Sequence, residues 1–258
     1  MITVVVPVSP IPSHPDTRIL DETIASVRHH LPDAPIFLMF DGVRPEQEHL
    51  REAYEEHIRR VSISLGAHAR ENHTENVAYR FPQHLHQVGM LRKVIDDITT
   101  PLMLFVEQDT PLTTDLPIDW ELIQEAMLTG KSPQMVRFHH ESVIPEAHQH
   151  MMVGSYIYRN HVVARGIEFL TTCQFSARPH LATIDFYRRV LECFTPQAKT
   201  FVEDKMHGVC HEAYKLRGDA GWREWPIGIY APADGNLKRS YHLDGRAGGP
   251  KFDDQLVF

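Results

Sequence analysis

Three short runs of apolar residues constrain the fold of this chain most strongly. They span residues 3–8, 36–40 and 101–106. Their residues are apolar almost without interruption, a pattern typical of strands buried on both faces of a parallel sheet. Segments with helical spacing lie between them, and this order predicts a sheet covered by helices on both sides. The predicted fold class is α/β, a three-layer α/β/α sandwich with a mainly parallel central sheet.

The same patterns predict further elements along the chain. Helices are predicted from Asp16 or Thr17 through Val27, from Pro45 to about Arg59, and at residues 85–98, 120–128, 185–194 and 202–216. Strands are predicted at residues 61–65, where apolar residues alternate, and at 135–138, 155–158 and 167–175. Residues 66–81 are polar and are predicted to be irregular, and residues 231–258 are predicted to form a surface loop or tail.

The composition narrows the class of protein and favours a single domain. With 258 residues, 42% hydrophobic and 23% charged, the chain resembles an ordinary globular protein. We expect no transmembrane segment, because no apolar run is long enough to span a bilayer. The three cysteines are sparse and lack zinc-site spacing, which predicts a cytoplasmic location. The net charge of −8 gives no general attraction to nucleic-acid phosphates.

Two acids directly follow the third apolar run. Glu107 and Asp109 flank Gln108, at the point where the predicted strand ends. Open α/β sheets bind ligands at the carboxyl ends of their strands, and carboxylate oxygens are the ligands preferred by Mg²⁺ and accepted by Mn²⁺. The alternative interpretation is a solvated turn. The pair is therefore a candidate metal site.

Two other acidic positions have both a structural and a functional interpretation. Asp41 follows the second predicted strand and precedes Gly42, where a carboxylate can accept hydrogen bonds from a nucleoside or can simply form an Asp-Gly turn. Glu203 and Asp204 lie in the first turn of a predicted helix. There, acids favour the helix dipole, or one of them can serve as a general base.

The end of the chain carries candidate cationic residues. Lys238, Arg239, Arg246 and Lys251 lie in a glycine-containing segment that could close over a diphosphate. A solvated tail is the alternative. Most of the 18 histidines are interpreted as surface or loop residues, with His242 as the exception.

The order of these features resembles the GT-A type of nucleotide-sugar glycosyltransferase, in the manner of the inverting family-2 group. The resemblance consists of the strand Val4-Val5-Val6-Pro7, a strand ending at Asp41, a strand ending at Glu107-Gln108-Asp109, a later Glu-Asp pair and a basic tail. The usual acidic motif of that group is Asp-x-Asp, whereas this chain has glutamate first. The absence of Gly-x-Gly-x-x-Gly, P-loop and Gly-x-Ser-x-Gly motifs disfavours dehydrogenase, P-loop kinase and serine-hydrolase interpretations.

The resemblance implies a donor site for a nucleotide sugar, with UDP-sugars favoured. Pro7, Ser9 and Asp41 would hold the nucleoside, and Lys238 and Arg239 would assist at the diphosphate. The halves would be about residues 1–115 for the donor and 116–230 for the acceptor, followed by a flexible C-terminal segment at 231–258.

The resemblance also implies the chemistry. Glu107, Asp109 and His242 would hold Mn²⁺ or Mg²⁺, and Asp204 or Glu203 would deprotonate an acceptor hydroxyl for transfer with inversion. The acceptor is left open between a glycan, a protein, a lipid-linked sugar and a modified nucleic-acid base. Two alternatives are a sugar-phosphate nucleotidyltransferase and a non-catalytic nucleotide- or glycan-binding domain.

Overall fold

A computed structural model describes residues 1–72, 75–129, 133–154, 161–164 and 166–243, and its described strands form one nine-stranded sheet. The strands are β1 Ile2–Val8, β2 Ile36–Phe40, β3 Asn76–Arg80, β4 Leu102–Phe105, β5 Met135–Arg137, β6 His161–Ala164, β7 Ile167–Thr172, β8 His180–Thr183 and β9 Ile227–Ala231. Their order across the sheet is β3-β2-β1-β4-β8-β5-β9-β7-β6.

The sheet has a parallel half and a mixed half. Strands β3, β2, β1 and β4 are parallel neighbours, as the buried apolar runs predict. Strand β8 is antiparallel to both β4 and β5, so β5 runs in the same direction as β4. Strand β9 is parallel to β5, and β7 and β6 follow in antiparallel order. The α/β class is confirmed, and the parallel arrangement is confined largely to the first half of the chain.

Helices cover both faces of this sheet. They are α1 Arg18–His30, α2 Arg51–Asn72, α3 His86–Val94, α4 Trp120–Leu128, α5 Ile184–Glu192, α6 Val202–Arg217 and α7 Asp219–Glu224. Apolar residues of α1, α2 and α4 pack on one face together with Val4 and Val6 of β1. Those of α3, α5 and α6 pack on the other face with Val5, because successive strand residues point to opposite sides. One apolar cluster therefore lies between the sheet and the helices on each face, which gives the three predicted layers.

The predicted strand at residues 61–65 is wrong, because α2 continues through this segment. The alternation of Val61, Ile63 and Leu65 favours a strand, but Ile63 is 59% exposed. Val61 and Leu65 instead share a buried helical face with Tyr54 and Ile58, which fits a period of 3.6 residues. The following segment, predicted to be irregular, contains the edge strand β3.

The second half departs further from the prediction. Helix α4 has the predicted bounds, whereas strands β6, β8 and β9 were not predicted. The predicted strand at residues 155–158 lies outside the described residues. The segment from residue 231 is not a solvated tail throughout, since Leu237 and Leu243 are buried. Among the described residues, no helix combines the length and apolarity needed to cross a membrane.

Candidate active site

The carboxyl ends of β1 and β4 border a polar cleft of about 380 Å³. The two strands are paired side by side, so the loops that follow them leave the sheet at the same edge. Five of the residues predicted from sequence line this cleft together: Pro7, Ser9, Glu107, Asp109 and His242. The sheet thus brings together residues that lie up to 235 positions apart in sequence, between Pro7 and His242.

The side chain of Glu107 is half-buried and lines this cleft. Its Oε1 accepts a 2.6 Å hydrogen bond from Nε2 of Gln87. Burial raises its pKa to about 8, with a further contribution from the negative charge of Asp109 and a smaller one from Glu203. At neutral pH the group is therefore mainly protonated. A carboxyl group with a pKa near 7 suits proton transfer better than a permanently charged one.

Gln87 connects three elements around Glu107. While its Nε2 donates to Glu107, its Oε1 accepts from the backbone N–H of Val202 at 3.3 Å. The side chain therefore links the start of α3, the end of β4 and the start of α6. Sequence analysis did not identify Gln87, since a glutamine in a helix carries no motif.

The middle residue of the acidic motif holds the loop that follows β1. Gln108 accepts a hydrogen bond from the N–H of Ser9 at 3.2 Å and donates to the Ser9 carbonyl at 3.3 Å. Its own carbonyl accepts from the hydroxyl of Thr23 on α1. Ser9 is thus fixed through its backbone, and it lines the cleft.

Residues 237–243 form a C-terminal strap along the carboxyl edge of the sheet. The backbone N–H of Arg239 donates to the His139 carbonyl after β5, and that of Leu243 donates to the Asp109 carbonyl after β4, both at 2.7 Å. This path places Nε2 of His242 3.3 Å from Oδ2 of Asp109. The strap, and not proximity in sequence, brings the histidine to the acidic motif.

The carboxylate of Asp41 is hydrogen-bonded to backbone N–H groups, and Asp41 does not line the cleft. Its Oδ1 accepts from the N–H groups of Gly42 and Leu85 at 2.9 and 2.7 Å, and its Oδ2 accepts from the N–H of His86 at 3.0 Å. Nδ1 of His84 lies 2.7 Å from the same Oδ2. The residue borders a neighbouring cavity of about 250 Å³. The side chain therefore holds the loop before α3, and any nucleoside contact by Asp41 would have to share these bonds.

Two further cleft residues have features that sequence analysis missed. His86 adopts φ = +58°, a left-handed conformation that costs a non-glycine residue of order 1–3 kcal/mol. Its ring packs edge-on against Phe201, with the centroids 4.2 Å apart. Phe201 is 43% exposed and lines the cleft. A strained histidine beside an exposed aromatic ring is a feature that only the backbone conformation reveals.

The predicted catalytic pair at the start of α6 splits into two roles. Glu203 is half-buried, and its Oε2 accepts from the Ala177 N–H at 2.8 Å. Asp204 is exposed, and its Oδ2 accepts from the Thr200 hydroxyl and from the Phe201 N–H. Asp204 thus caps its own helix. Glu203 is the member whose charge acts on Glu107.

Two of the predicted diphosphate-binding cations, Lys238 and Arg239, do not line the cleft. Arg239 is fully buried, and its guanidinium donates to the carbonyl oxygens of Pro117 and Asn236. Its backbone lies in the strap, but its side chain enters the protein, so the prediction of a contact at the cleft is not met. Lys238 lies beside His139 and is absent from the cleft lining. Arg246 and Lys251 lie outside the described residues.

The donor atoms at the cleft fit a divalent cation in part. Asp109 and His242 offer one carboxylate oxygen and one imidazole nitrogen, a pair accepted by Mn²⁺, and by Mg²⁺ for the oxygen. Glu107 is a protonated, hydrogen-bonded carboxyl group and fits less well. In the described parts of the chain, no three His, Cys, Asp or Glu side chains converge as a ligand set. A cation held here would depend on oxygens of a bound diphosphate.

Comparison with known proteins identifies the fold class and no closer family. No protein-family model matches the chain, and no curated protein matches its sequence. Solved structures do match, and the fold is of the GT-A type, which confirms that part of the predicted resemblance.

Among these structures are S. aureus TarS and HddC from Yersinia pseudotuberculosis. TarS 1–349 in complex with UDP-GlcNAc has 8% identity and a TM-score of 0.53, with 96% of this chain and 61% of that chain covered. HddC has 12% identity and a TM-score of 0.51, with 95% of this chain and 93% of the HddC chain covered. A putative glucose-1-phosphate thymidylyltransferase from Bacillus anthracis has 9% identity and a TM-score of 0.50, with 89% of this chain and 86% of that chain covered. The chain spans about 60% of the TarS 1–349 fragment and 36% of the longer TarS chain.

Proposed function

We propose that this chain is a glycosyltransferase that moves a sugar from a nucleotide diphosphate donor to an acceptor hydroxyl. The observation that carries the proposal is the cleft at the carboxyl ends of β1 and β4. There the Ser9 loop faces Asp109, His242 and the half-buried Glu107. Open α/β sheets bind nucleotides at this edge. The GT-A-type fold and the binding of UDP-GlcNAc by TarS support a UDP-sugar as donor.

Each residue of the cleft has a defined task in this proposal. Pro7 and Ser9 border the nucleotide, while Asp41 keeps the loop before α3 in place. Asp109 and His242 would hold Mn²⁺ or Mg²⁺ together with the diphosphate. A cation there would supply positive charge to stabilise the departing nucleoside diphosphate. The hydrogen bond from Gln87 orients Glu107 toward the cleft.

Proton removal from the acceptor hydroxyl falls to Glu203 in preference to Asp204. Asp204 accepts two hydrogen bonds within the first turn of its own helix, whereas Glu203 accepts from the Ala177 N–H and the Ser176 hydroxyl and acts electrostatically on Glu107 in the cleft. Direct attack by the acceptor hydroxyl on the face opposite the departing diphosphate would invert the anomeric carbon. Glu203→Gln is expected to lower kcat and leave donor binding unchanged.

The decisive measurement is release of UDP from a panel of UDP-sugars with Mn²⁺. We expect Asp109→Asn to lose at least about tenfold in kcat/KM, which corresponds to about 1.4 kcal/mol of transition-state stabilisation. Asp33→Asn is the matched control, because Asp33 is an exposed aspartate before β2, at the opposite edge of the sheet. Equal turnover by wild type and Asp109→Asn would remove Asp109 from the site.

A sugar-phosphate nucleotidyltransferase is the second candidate. It is favoured by the match to the thymidylyltransferase, which covers most of both chains. The loop Ser9-Pro10-Ile11-Pro12 lacks the glycines and arginines expected of such an enzyme. Pyrophosphate release from a nucleoside triphosphate and a sugar phosphate would decide for it. A non-catalytic binding domain instead predicts thermal stabilisation by UDP without turnover of any donor.

A further inference from the structure

Five basic side chains lie together at the carboxyl end of β5, and none of them lines the cleft. This histidine–arginine cluster consists of Arg137, His139, His140, His148 and Arg178. The rings of His139 and His140 are 5.0 Å apart, and the charges of both arginines and of His148 act on both rings. The mechanism proposed above uses none of the five.

Several polar atoms of the cluster are buried without a partner in hydrogen-bond geometry among the described residues. They are both ring nitrogens of His139, Nδ1 of His140, Nδ1 of His148 and Nε of Arg137. His139 is only 2% exposed, and the nearby Val143 carbonyl favours its protonated form without completing a hydrogen bond. Buried polar groups are nearly always paired, since an unpaired one costs about 1–3 kcal/mol. Four neighbouring residues with unpaired buried polar atoms indicate a site for a polar ligand.

The charges in the cluster decide which kind of ligand fits. Burial, together with the neighbouring arginines, lowers the pKa of His139 and of His140 to about 3, so both rings are neutral and each keeps one N–H donor. A metal ion is disfavoured by Arg137 and Arg178. Glu141, whose Oε1 lies 3.2 Å from Nε2 of His140, is 46% exposed and can turn to solvent. The unpaired nitrogens of the cluster, together with the positive charge of Arg137, suit an oxyanion.

The sheet register places the cluster near the cleft. Phe105 of β4 pairs with His180 of β8, and His180 pairs with Arg137 of β5. Two strand spacings separate the two sites, roughly 10 Å. Because β4 and β5 run in the same direction, Asp109 and His139 leave the sheet at the same edge. Glu203 acts electrostatically on both Glu107 and Arg137, which puts the candidate base between the two sites.

From this arrangement we propose that the histidine–arginine cluster binds an oxyanion, a phosphate or carboxylate group, carried by the acceptor. The assignment to the acceptor rests on the proposed function, whereas the oxyanion site itself does not. A separation of roughly 10 Å leaves room for a sugar or polyol unit between the bound anion and the reacting hydroxyl.

Binding of inorganic phosphate tests the site directly. Isothermal titration of the full chain with phosphate, against chloride at equal ionic strength, is expected to show saturable binding. His140→Gln and Arg178→Gln, both at half-buried positions, should each weaken it about tenfold, the loss of one charge-assisted hydrogen bond. His49→Gln is the matched control, because His49 is exposed on the short helix Pro45–Leu50. Circular dichroism verifies that each variant is folded. The site is refuted if phosphate and chloride act alike, or if both folded variants bind phosphate as tightly as wild type.

Three ligands that share one sugar ring test the acceptor assignment. In the presence of UDP, glucose 6-phosphate or glucuronate should bind at least about tenfold more tightly than glucose, and the tighter of the two distinguishes phosphate from carboxylate. Equal affinities for all three would overturn the acceptor assignment. If no nucleotide or UDP-sugar binds while phosphate binding still depends on His140 and Arg178, the proposed function fails and the oxyanion site stands. If a UDP-sugar binds but phosphate binding does not depend on His140 and Arg178, the oxyanion site is rejected and the proposed function stands.

Discussion

The variant Asp41→Asn tests whether Asp41 stabilises the loop before α3 or binds the nucleoside. In Asp41→Asn one carboxylate oxygen becomes an amide NH₂ group, which cannot accept from the N–H of His86 or pair with His84. Each lost hydrogen bond to a charged acceptor is worth about 1.5–3 kcal/mol, so two of them give roughly 3–6 kcal/mol. The strained backbone of His86 then loses the bond that holds it.

The assay is thermal and urea unfolding without nucleotide, followed by titration with UDP. A loss of 3 kcal/mol in the free energy of unfolding corresponds to a fall in Tm of roughly 6–12 °C for a chain of this size. Asp33→Asn should change Tm by little, because Asp33 is exposed. If Asp41→Asn kept the wild-type Tm and lost only UDP affinity, the structural role assigned to Asp41 would be refuted.

Two further predictions concern stability. His180 is completely buried, with Nδ1 2.7 Å from the Arg178 carbonyl and Nε2 2.6 Å from the Tyr187 hydroxyl, and burial lowers its pKa to about 3. Below its ordinary pKa of 6.5 only the unfolded chain takes up this proton. Stability is therefore full above that pH and falls as pH drops toward 3, by up to about 1.4 kcal/mol per pH unit. His180→Gln should reduce the acid slope of unfolding free energy by about that amount, and an unchanged slope would contradict the assignment. In α2, Leu65→Ala should cost about 2–5 kcal/mol and Ile63→Ala under about 0.5 kcal/mol by urea unfolding, and the opposite ranking would favour a strand there.

The parallel half of the fold was predictable because burial on both faces leaves its mark in sequence. The runs at β1, β2 and β4 are apolar almost without interruption, a pattern typical of strands buried on both faces. The edge strand β3 was missed because its residues are only partly buried, so no apolar pattern marks it. The alternation at residues 61–65 misled the prediction because Ile63, although apolar, faces solvent on α2.

Apart from His242, the predicted residues that line the candidate site lie at the ends of strands. Glu107 and Asp109 come directly after β4, and strand ends converge in a parallel sheet. Gln87 and Phe201 carry no local signal, because their roles depend on how α3 and α6 meet. Arg239 was predicted to be a surface cation because it is a basic residue in a glycine-containing segment. In the structure its guanidinium is buried against backbone carbonyls.

The sequence by itself determined the layered α/β architecture and the acids at the end of β4, because apolar periodicity and the position of polar residues along one strand are local properties. Tertiary structure decided that desolvation raises the pKa of Glu107, that the strap carries His242 to Asp109, and that the histidine–arginine cluster lies two strands from the cleft. These outcomes depend on sheet order, register and desolvation. All three arise from contacts between segments distant in sequence, which no local pattern encodes.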